Sequence, residues 1–351
     1  MQEIKQHHAA PLLFRFLVLL TAAALLALSL APGARAAESA GEEPRTVIPL
    51  GRAVGIKLFA QGVLVVGLSD ITTEEGVASP ARACGLQEGD VITHINDTQV
   101  DSIEEVQTIL QDLDGQEMEL TVVRDDESRE VTARAAQCSA DGEYKLGAWI
   151  RDSMAGIGTL TFVDPATGLF GTLGHGINDV DTSVLMKLQS GAITPASVAS
   201  VAKGMDGRPG ELRGTFTAGE DLGTLFANTQ QGVFGYLDDP GAFAGDPVPV
   251  AKQEEVHTGQ ATILSNVSGT QVEEYTVEIL KVFDDSADTR DLMLRVTDPK
   301  LLEKTGGIVQ GMSGSPILQD GKLVGAVTHV LVDHADRGYG ILAENMLDAA
   351  T

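Results

Sequence analysis

Residues 50–136 alternate between short apolar runs and polar segments in a way that predicts a small α+β unit. The run GVLVVGLSD (62–70) is apolar and opened by a glycine, which indicates a short strand. The stretch MELTVVRDDESREVTARAA (118–136) has the pattern of a strand, a polar turn and a second strand. Between them, SIEEVQTILQDL (102–113) has the spacing of one helix face, formed by Ile103, Val106, Ile109, Leu110 and Leu113.

Residues 143–351 show short apolar runs broken by glycine, Asp-Pro and Asp-Gly turns, a pattern typical of β structure. The stretch GTLTFVDPATGLFGTLGHGI (158–177) predicts two strands and places His175 at the end of the second. The stretch GMSGSPILQDGKLVGAVTHV (311–330) predicts a loop, a strand, a turn and a strand. The pattern therefore predicts a second, mainly β domain over 143–351, with linkers at 37–49 and 137–142.

The first 36 residues have the composition of an export signal. Lys5 and Arg15 precede an apolar run over residues 16–31, and Ala34-Arg35-Ala36 supplies the small residues that signal peptidase accepts. The run is short for a membrane-spanning helix, although residues 11–14 would extend it. A removed signal peptide over 1–36 and an anchor over 12–31 both remain open. Either one predicts that the rest of the chain lies outside the cytoplasm.

Composition limits the classes of partner. The chain has 351 residues, enough for two domains, and its 24 Lys and Arg stand against 50 Asp and Glu. The net charge of −26 argues against nucleic acid and anionic membranes as partners. Cys84 and Cys138 form either a disulfide or two free thiols. We predict neither a metal nor another cofactor, because five histidines show no ligand spacing: His94, His175, His257, His329 and His334.

The loop GGIVQGMSGSP (306–316) is either a nucleophile loop or a tight turn between strands. Glycines on both sides of Ser313 allow the N–H groups of Gly311 and Ser313 to point into one space, where they would hold an oxyanion. His175 lies at a strand end between two glycines, where the backbone has the most room. Ser315 is the lesser candidate, because Pro316 restricts its backbone to extended geometry.

The segments ACGLQEGDVITHIN and GVLVVG closely resemble motifs of PDZ domains. The resemblance implies that a peptide ligand adds as a strand beside the helix 102–113. The residues that would receive it are Gly62, Val63, Leu64, Val65, Val66 and Gly67. The alternatives are a structural spacer and a module that binds a segment of its own chain.

Taken together, residues 12–350 resemble the stage IV sporulation protein B peptidases of endospore-forming bacteria. The resemblance rests on three segments: GTLGHGI (171–177), RVTDPKLLEKTGGIVQGMSGSPI (295–317) and GKLVGAVTHV (321–330). The resemblance implies a trypsin-like double β-barrel beside the PDZ domain. It implies a triad of His175 as base, Ser313 as nucleophile and Asp298 as the orienting acid. Asp179 and Asp181 are alternative acids, although their closeness to His175 in the sequence favours a role as caps of a turn. We expect His257 and His329 to be structural.

The same resemblance implies an exported serine endopeptidase that cleaves itself and then a membrane-bound regulator of an intramembrane protease. That cleavage would take place between the membranes around the forming spore and lead to activation of a late sigma factor. Two alternative hypotheses for the function remain: a PDZ scaffold without enzymatic activity, and a general extracytoplasmic quality-control protease.

Overall fold

The computed structural model describes residues 45–216, 219–243, 245–283 and 289–350. The predicted signal or anchor, and most of the predicted linker at 37–49, lie outside these ranges. Within the ranges, no helix is both long enough and apolar enough to cross a membrane.

Strands dominate the described part of the chain. The strands up to residue 172 are β1 (Thr46–Leu68), β2 (Ile71–Thr73), β3 (Gly76–Ala78), β4 (Val91–Ile95), β5 (Thr98–Gln99), β6 (Glu117–Arg124), β7 (Glu127–Arg134), β8 (Ala136–Gln137), β9 (Tyr144–Lys145), β10 (Ala148–Val163) and β11 (Leu169–Thr172). The later strands are β12 (Leu188–Ala202), β13 (Glu211–Phe216), β14 (Gly223–Thr229), β15 (Gly232–Leu237), β16 (Val248–Pro249), β17 (Gly259–Ser268), β18 (Gln271–Val282), β19 (Leu292–Val296), β20 (Pro316–Gln319), β21 (Lys322–Leu331) and β22 (His334–Leu342). The α-helices are α1 (Pro80–Ala83), α2 (Ile103–Asp112), α3 (Pro299–Thr305) and α4 (Ala343–Asp348), and single 3₁₀ turns lie at Pro240–Ala242 and Gln253–Glu255.

Six strands close into a first barrel through a continuous ring of antiparallel pairs. The order around the ring is β1, β10, β11, β15, β14 and β12, and β12 pairs again with β1. Apolar residues at alternate positions of these strands fill the interior, because successive side chains of a strand point to opposite faces. Val54, Ile56, Leu160, Phe170 and Ile193 are buried there together.

A second barrel is closed by β17, β18, β19, β22, β21 and β20 in that order. Its interior is built from Ile263, Val277, Ile279, Leu292 and Leu294, all of which are buried. The prediction of a mainly β chain with a double barrel is therefore confirmed.

The α+β unit lies between the two longest strands of the first barrel, β1 and β10. It consists of the end of β1 with β4, β6, β7, α1 and α2, around a separate core that includes Ile92, Ile95, Val106 and Leu120. Helix α2 begins at Ser102, whose Oγ accepts a hydrogen bond from the Glu105 N–H at 3.2 Å. The Glu105 carboxylate accepts from the Ser102 N–H at 3.1 Å, which completes a capping box.

The limits of the α+β unit differ from the predicted range of 50–136. Residues 48–59 of β1 pair with residues 153–163 of β10, so they belong to the first barrel. β1 leaves the barrel near residue 60 and enters the α+β unit without a break, and β10 makes the return crossing. The unit is therefore inserted into the first barrel on two continuous strands. The sequence pattern did not reveal this, because a strand that runs through two cores has the same apolar alternation as two strands.

The strand that was predicted to receive a peptide is paired on both sides by the chain itself. On one side Val63 and Leu64 pair with β4, and the Val65 N–H donates to the Asp90 carbonyl at 2.8 Å. On the other side Val65 pairs with Ile150 of β10. The prediction that residues 62–67 offer an open edge is thus corrected: among the described residues, β4 and β10 occupy the two edges of this strand.

The predicted carboxylate-binding position is also filled from within the chain. The Gly62 N–H donates to the Asp101 side chain at 2.8 Å, and the second Asp101 oxygen accepts from the Gln189 side chain at 2.7 Å. A carboxylate of the α+β unit therefore binds the glycine that was expected to bind a ligand carboxylate. The choice between a peptide ligand, a structural spacer and a segment of the same chain stays a prediction.

Candidate active site

His175 is placed by two residues of left-handed backbone at the end of β11. Leu173 and Gly174 both have φ of +69°. A Cβ on Gly174 would lie 2.9 Å from side-chain carbons of Thr328 and Ile341, so glycine is required at this approach. The turn brings His175, from the first barrel, against β21 of the second barrel.

The Ser313 loop is fastened to the first barrel through Thr159 of β10. The Thr159 hydroxyl donates to the Gly311 carbonyl at 2.8 Å, and the Thr159 N–H donates to the Ser313 carbonyl at 3.2 Å. Gly314 has φ of +95°, and a Cβ there would lie 2.1 Å from the Thr159 carbonyl oxygen. The loop can therefore follow this path only with glycine at position 314.

His175 and Ser313 line one cavity of about 400 Å³ between the barrels. The Ser313 hydroxyl donates to the Thr328 carbonyl at 2.7 Å in this structure. Its proton is therefore held by the backbone of β21, and the side chain must rotate before it can pass that proton to an imidazole.

The backbone N–H groups around Ser313 divide into paired and unpaired ones. The N–H groups of Gln310, Met312, Gly314 and Ser315 donate to carbonyls at 2.7–3.1 Å. In the ranges that the structure describes, no acceptor pairs with the N–H of Gly311 or of Ser313. These two amides are the predicted oxyanion donors, and their positions on either side of Met312 match that role.

The imidazole of His175 is oriented by a backbone carbonyl. Its Nδ1 lies 2.8 Å from the Gly176 carbonyl oxygen, which can only accept, so Nδ1 carries the proton. Nε2 then has the free lone pair that a general base needs. Burial lowers the pKa of His175 below its usual value of 6.5, and the Gly176 carbonyl opposes this shift more weakly. The imidazole is therefore neutral at physiological pH.

We expect peptidase activity to persist below the usual titration range of histidine. Because the pKa of His175 is lowered in the folded chain, the base remains neutral until the pH falls below 6.5, and activity declines only then. The unfolded chain binds that proton at higher pH, so His175 also makes folding less favourable as the pH drops below 6.5. A pH profile of kcat/KM tests the first statement, and an acidic midpoint above 6.5 would contradict it.

The structure does not bring Asp298 to His175, which corrects the acid implied by the resemblance. One Asp298 oxygen caps α3 by accepting from the N–H groups of Lys300 and Leu301 at 2.9 and 3.2 Å. The other accepts from the Thr276 N–H at 3.4 Å. Among the described residues, Asp298 is not one of those that line the cavity shared by His175 and Ser313. An aspartate before a proline is also a common helix start, and the sequence did not separate the two roles.

We therefore expect Asp298→Asn to keep kcat/KM within about threefold of the wild type, since an amide oxygen still caps the helix. Asp298→Ala removes the cap and should lower the free energy of unfolding by about 1 kcal/mol. Steady-state kinetics and urea unfolding measure the two effects. A loss of activity beyond about 1,000-fold in Asp298→Asn, with the fold kept, would show that the carboxylate reaches His175 during the reaction.

The alternative acids Asp179 and Asp181 are held by Arg151. Asp179 is buried, accepts from the N–H groups of Asp181 and Thr182 at 3.1 and 2.9 Å, and forms an ion pair with Arg151. Asp181 is half exposed and binds the same guanidinium at 2.9 Å. Both carboxylates therefore stabilise the turn that follows His175, as their closeness to His175 in the sequence predicted.

Arg151→Gln should lower the free energy of unfolding by about 3 kcal/mol, because it leaves the buried Asp179 carboxylate without its cation. The matched control is Asp181→Asn, which removes only the exposed half of the contact and should change stability by less than about 0.5 kcal/mol. Urea unfolding followed by circular dichroism compares the two. Equal effects would mean that the buried carboxylate gains little from Arg151.

His329 lies nearer the site than expected. Its ring centroid is 5.0 Å from that of His175, and both rings line the cavity. The expectation of a structural role for His329 stays a prediction. In the sequence, the indication of this position was that His329 lies in β21, the second strand of the hairpin that follows the Ser313 loop. His257, by contrast, is exposed and binds Asp320 at 2.9 Å on the surface.

Two further residues complete the picture. The Asn228 side chain accepts from the Ile177 N–H at 2.8 Å and donates to the Met186 carbonyl at 2.8 Å, which holds the segment after His175. No sequence pattern indicated this role. Ser315 is fully buried and its hydroxyl donates to Ser265 at 3.0 Å, so it does not face the cavity.

The described residues contain no group of three or more histidines, cysteines or carboxylates that could hold a metal ion. Cys84 and Cys138 are both free thiols, which settles that alternative for this structure.

Comparison with protein families identifies the second half of the chain. The model of the SpoIVB peptidase S55 family matches residues 142–347, more than half of the chain. The chain belongs to the SpoIVB peptidase family. The PDZ model that matches residues 72–124 confirms the second module.

Other similarities are partial. The chain is 35% identical over 129 residues to the zinc metalloprotease RasP of Shouchella clausii, a match over 34% of this chain and 30% of that protein. The chain thus spans less than a third of that relative. The Rv3671c protease of M. tuberculosis, active form, is 16% identical over 56% of this chain and 73% of that one, with a TM-score of 0.30. The PDZ domain of the SdrC-like protein of Listeria monocytogenes is 18% identical over 26% of this chain and 87% of that one, with a TM-score of 0.21.

Proposed function

We propose that this SpoIVB-family peptidase cuts its substrates through an acyl-enzyme on Ser313, with His175 as the general base. The observation that carries the proposal is the pair of unpaired amides at Gly311 and Ser313, beside a neutral histidine in the same cavity. Four neighbouring amides are paired, so these two are the ones left to bind an oxyanion.

Substrate binding rotates the Ser313 hydroxyl away from the Thr328 carbonyl and towards Nε2 of His175. The oxygen attacks the scissile carbonyl carbon while Nε2 takes its proton, and the amides of Gly311 and Ser313 receive the oxyanion. The imidazolium then gives the proton to the leaving amine as the C–N bond breaks. Water, deprotonated by the same nitrogen, attacks the ester carbonyl and releases the second product together with free Ser313.

The Gly176 carbonyl performs the orienting role that the resemblance gave to Asp298. It fixes the imidazole tautomer, as the acid of a triad does. It also stabilises the imidazolium less than a carboxylate would, because a carbonyl dipole carries no net charge.

The acyl-enzyme is testable directly. The chain is mixed with a peptide ester and quenched in acid, and its mass is measured. We expect one acyl group per chain on a peptide that contains Ser313, and none on Ser313→Ala. Hydrolysis of the ester without an adduct in the wild type, under conditions where the acyl-enzyme should accumulate, would contradict the covalent route.

We further propose that the physiological task is sporulation signalling: self-cleavage, then cleavage of a membrane-bound regulator of an intramembrane protease. Support comes from family membership and from the export signal read in residues 1–36. The reaction would take place on the far side of the cytoplasmic membrane. Deleting the chromosomal copy and supplying Ser313→Ala should arrest sporulation late, whereas Ser315→Ala, which keeps the nucleophile, should restore it. Normal sporulation with Ser313→Ala would overturn this role.

A further inference from the structure

The walls of the cavity around His175 and Ser313 carry no Asp, Glu, Lys or Arg side chain in the described part of the chain. The lining residues include Ile157, Ile177, Ile308, Val309 and Val330, and none is Asp, Glu, Lys or Arg. The chain as a whole has 50 Asp and Glu and 24 Lys and Arg. The polar lining groups are neutral amides, hydroxyls and the two imidazoles.

The positions of the reacting groups fix which substrate residues enter this cavity. The scissile carbonyl must lie within reach of Ser313 Oγ and of the amides of Gly311 and Ser313. The side chains of the residues on both sides of the scissile bond therefore lie against these walls. A charged side chain placed there would lose its hydration without gaining a partner.

The substrate backbone can be received as an extended strand. Residues 154–157 of β10 line the cavity and pair with β1 on one side. β11 pairs with β10 only from Leu160 onward, so no described strand pairs with the second edge of residues 154–157. A row of backbone donors and acceptors beside the nucleophile suits strand addition by a substrate.

Gln310 stands at the border between this cavity and a second cleft. The second cleft shares Gly156, Ile157, Gln310 and Gly311 with the first, and it contains the ion-paired Glu211 and Arg213. Gln310 is exposed and lies three residues before Ser313. Its neutral amide therefore separates an uncharged cleft from a charged one.

Building on the proposed nucleophile, we propose that this peptidase cleaves extended segments in which both residues at the scissile bond are uncharged and mainly apolar. Gln310 is the specificity-determining residue that keeps charge out of the cavity. The substrate class is thus an apolar stretch of polypeptide that has become accessible as a strand.

A peptide library cleaved by the full chain and read by mass spectrometry tests the substrate class. We expect apolar, uncharged residues on both sides of the cut, and kcat/KM at least about 100-fold lower for matched peptides with Lys, Arg, Asp or Glu there. Cleavage mainly beside a charged residue would overturn the inference. Fluorophosphonate labelling of Ser313 in the same samples separates the claims: labelled protein that cuts beside charge contradicts only the specificity, and absence of label contradicts the proposed nucleophile.

Charge substitution at Gln310 tests the named residue. Gln310→Glu should raise kcat/KM for peptides with Lys beside the cut by about tenfold, and Gln310→Lys should do the same for Glu, since each supplies a partner charge. The matched control is Gln231→Glu, an exposed glutamine in the turn between β14 and β15. Preferences that stay the same in both Gln310 variants, or that change equally in Gln231→Glu, would overturn the assignment.

Discussion

Ser313→Ala should lower peptidase turnover by a factor on the order of 10⁴ to 10⁶ while leaving the fold intact. The hydroxyl is the only part of Ser313 that changes, and its one hydrogen bond in this structure goes to the Thr328 carbonyl. The loss is large because, without a nucleophile, His175 has no serine proton to accept and the two amides have no oxyanion to bind.

The control for this variant is Ser315→Ala, two residues away in the same loop. Ser315 is fully buried and bonds to Ser265, so its loss should cost about 1 kcal/mol of stability and little activity. Rates with a peptide substrate and thermal unfolding distinguish the pair. If Ser315→Ala is the inactive variant, the loop presents a different serine from the one assigned here.

Gly314→Ala should also remove almost all activity, by a structural route. A Cβ at this position would lie 2.1 Å from the Thr159 carbonyl oxygen and 2.6 Å from the Leu173 nitrogen, and both are backbone atoms. The Ser313 loop must therefore move away from β10, which displaces the two amides together with the nucleophile. We expect a loss of at least about 1,000-fold in kcat/KM and about 3 kcal/mol or more in stability.

Gly321→Ala provides the matched control for backbone strain. Gly321 has φ of +75° in the turn between β20 and β21, and an added Cβ would meet nothing within 4 Å. The left-handed conformation alone should cost about 1 kcal/mol and leave kcat/KM unchanged. Similar kinetics for the two alanine variants would mean that contact with Thr159 does not set the loop position.

Sequence patterns predicted the parts of the site that depend on local backbone. Glycines flank His175 and Ser313 because each residue lies where the chain turns sharply against the opposite barrel. The need for glycine at such a turn can be recognised in a few consecutive residues of the sequence. Gly174 and Gly314 are examples, since each is packed too closely for a Cβ. The β class followed for the same reason, from short runs and turns.

The parts that were missed depend on contacts between distant segments. The orienting group is the carbonyl of Gly176, and a backbone group has no sequence signature. Val65 pairs with Ile150, a contact that no pattern within either strand predicts, and this pairing closes the expected peptide edge. The His329 ring lies 5.0 Å from the His175 ring, tilted by 37°, because the two barrels meet there. Asp298 was misassigned because a helix cap and a triad acid use the same residue type.

The most direct measurement of the central claim is covalent labelling of the full chain with a fluorophosphonate, followed by mass spectrometry of the digest. The account predicts a single labelled residue, Ser313, with labelling lost in His175→Ala and retained in Asp298→Asn. Label on any other residue, or labelling of Ser313 that needs Asp298 and not His175, would contradict it.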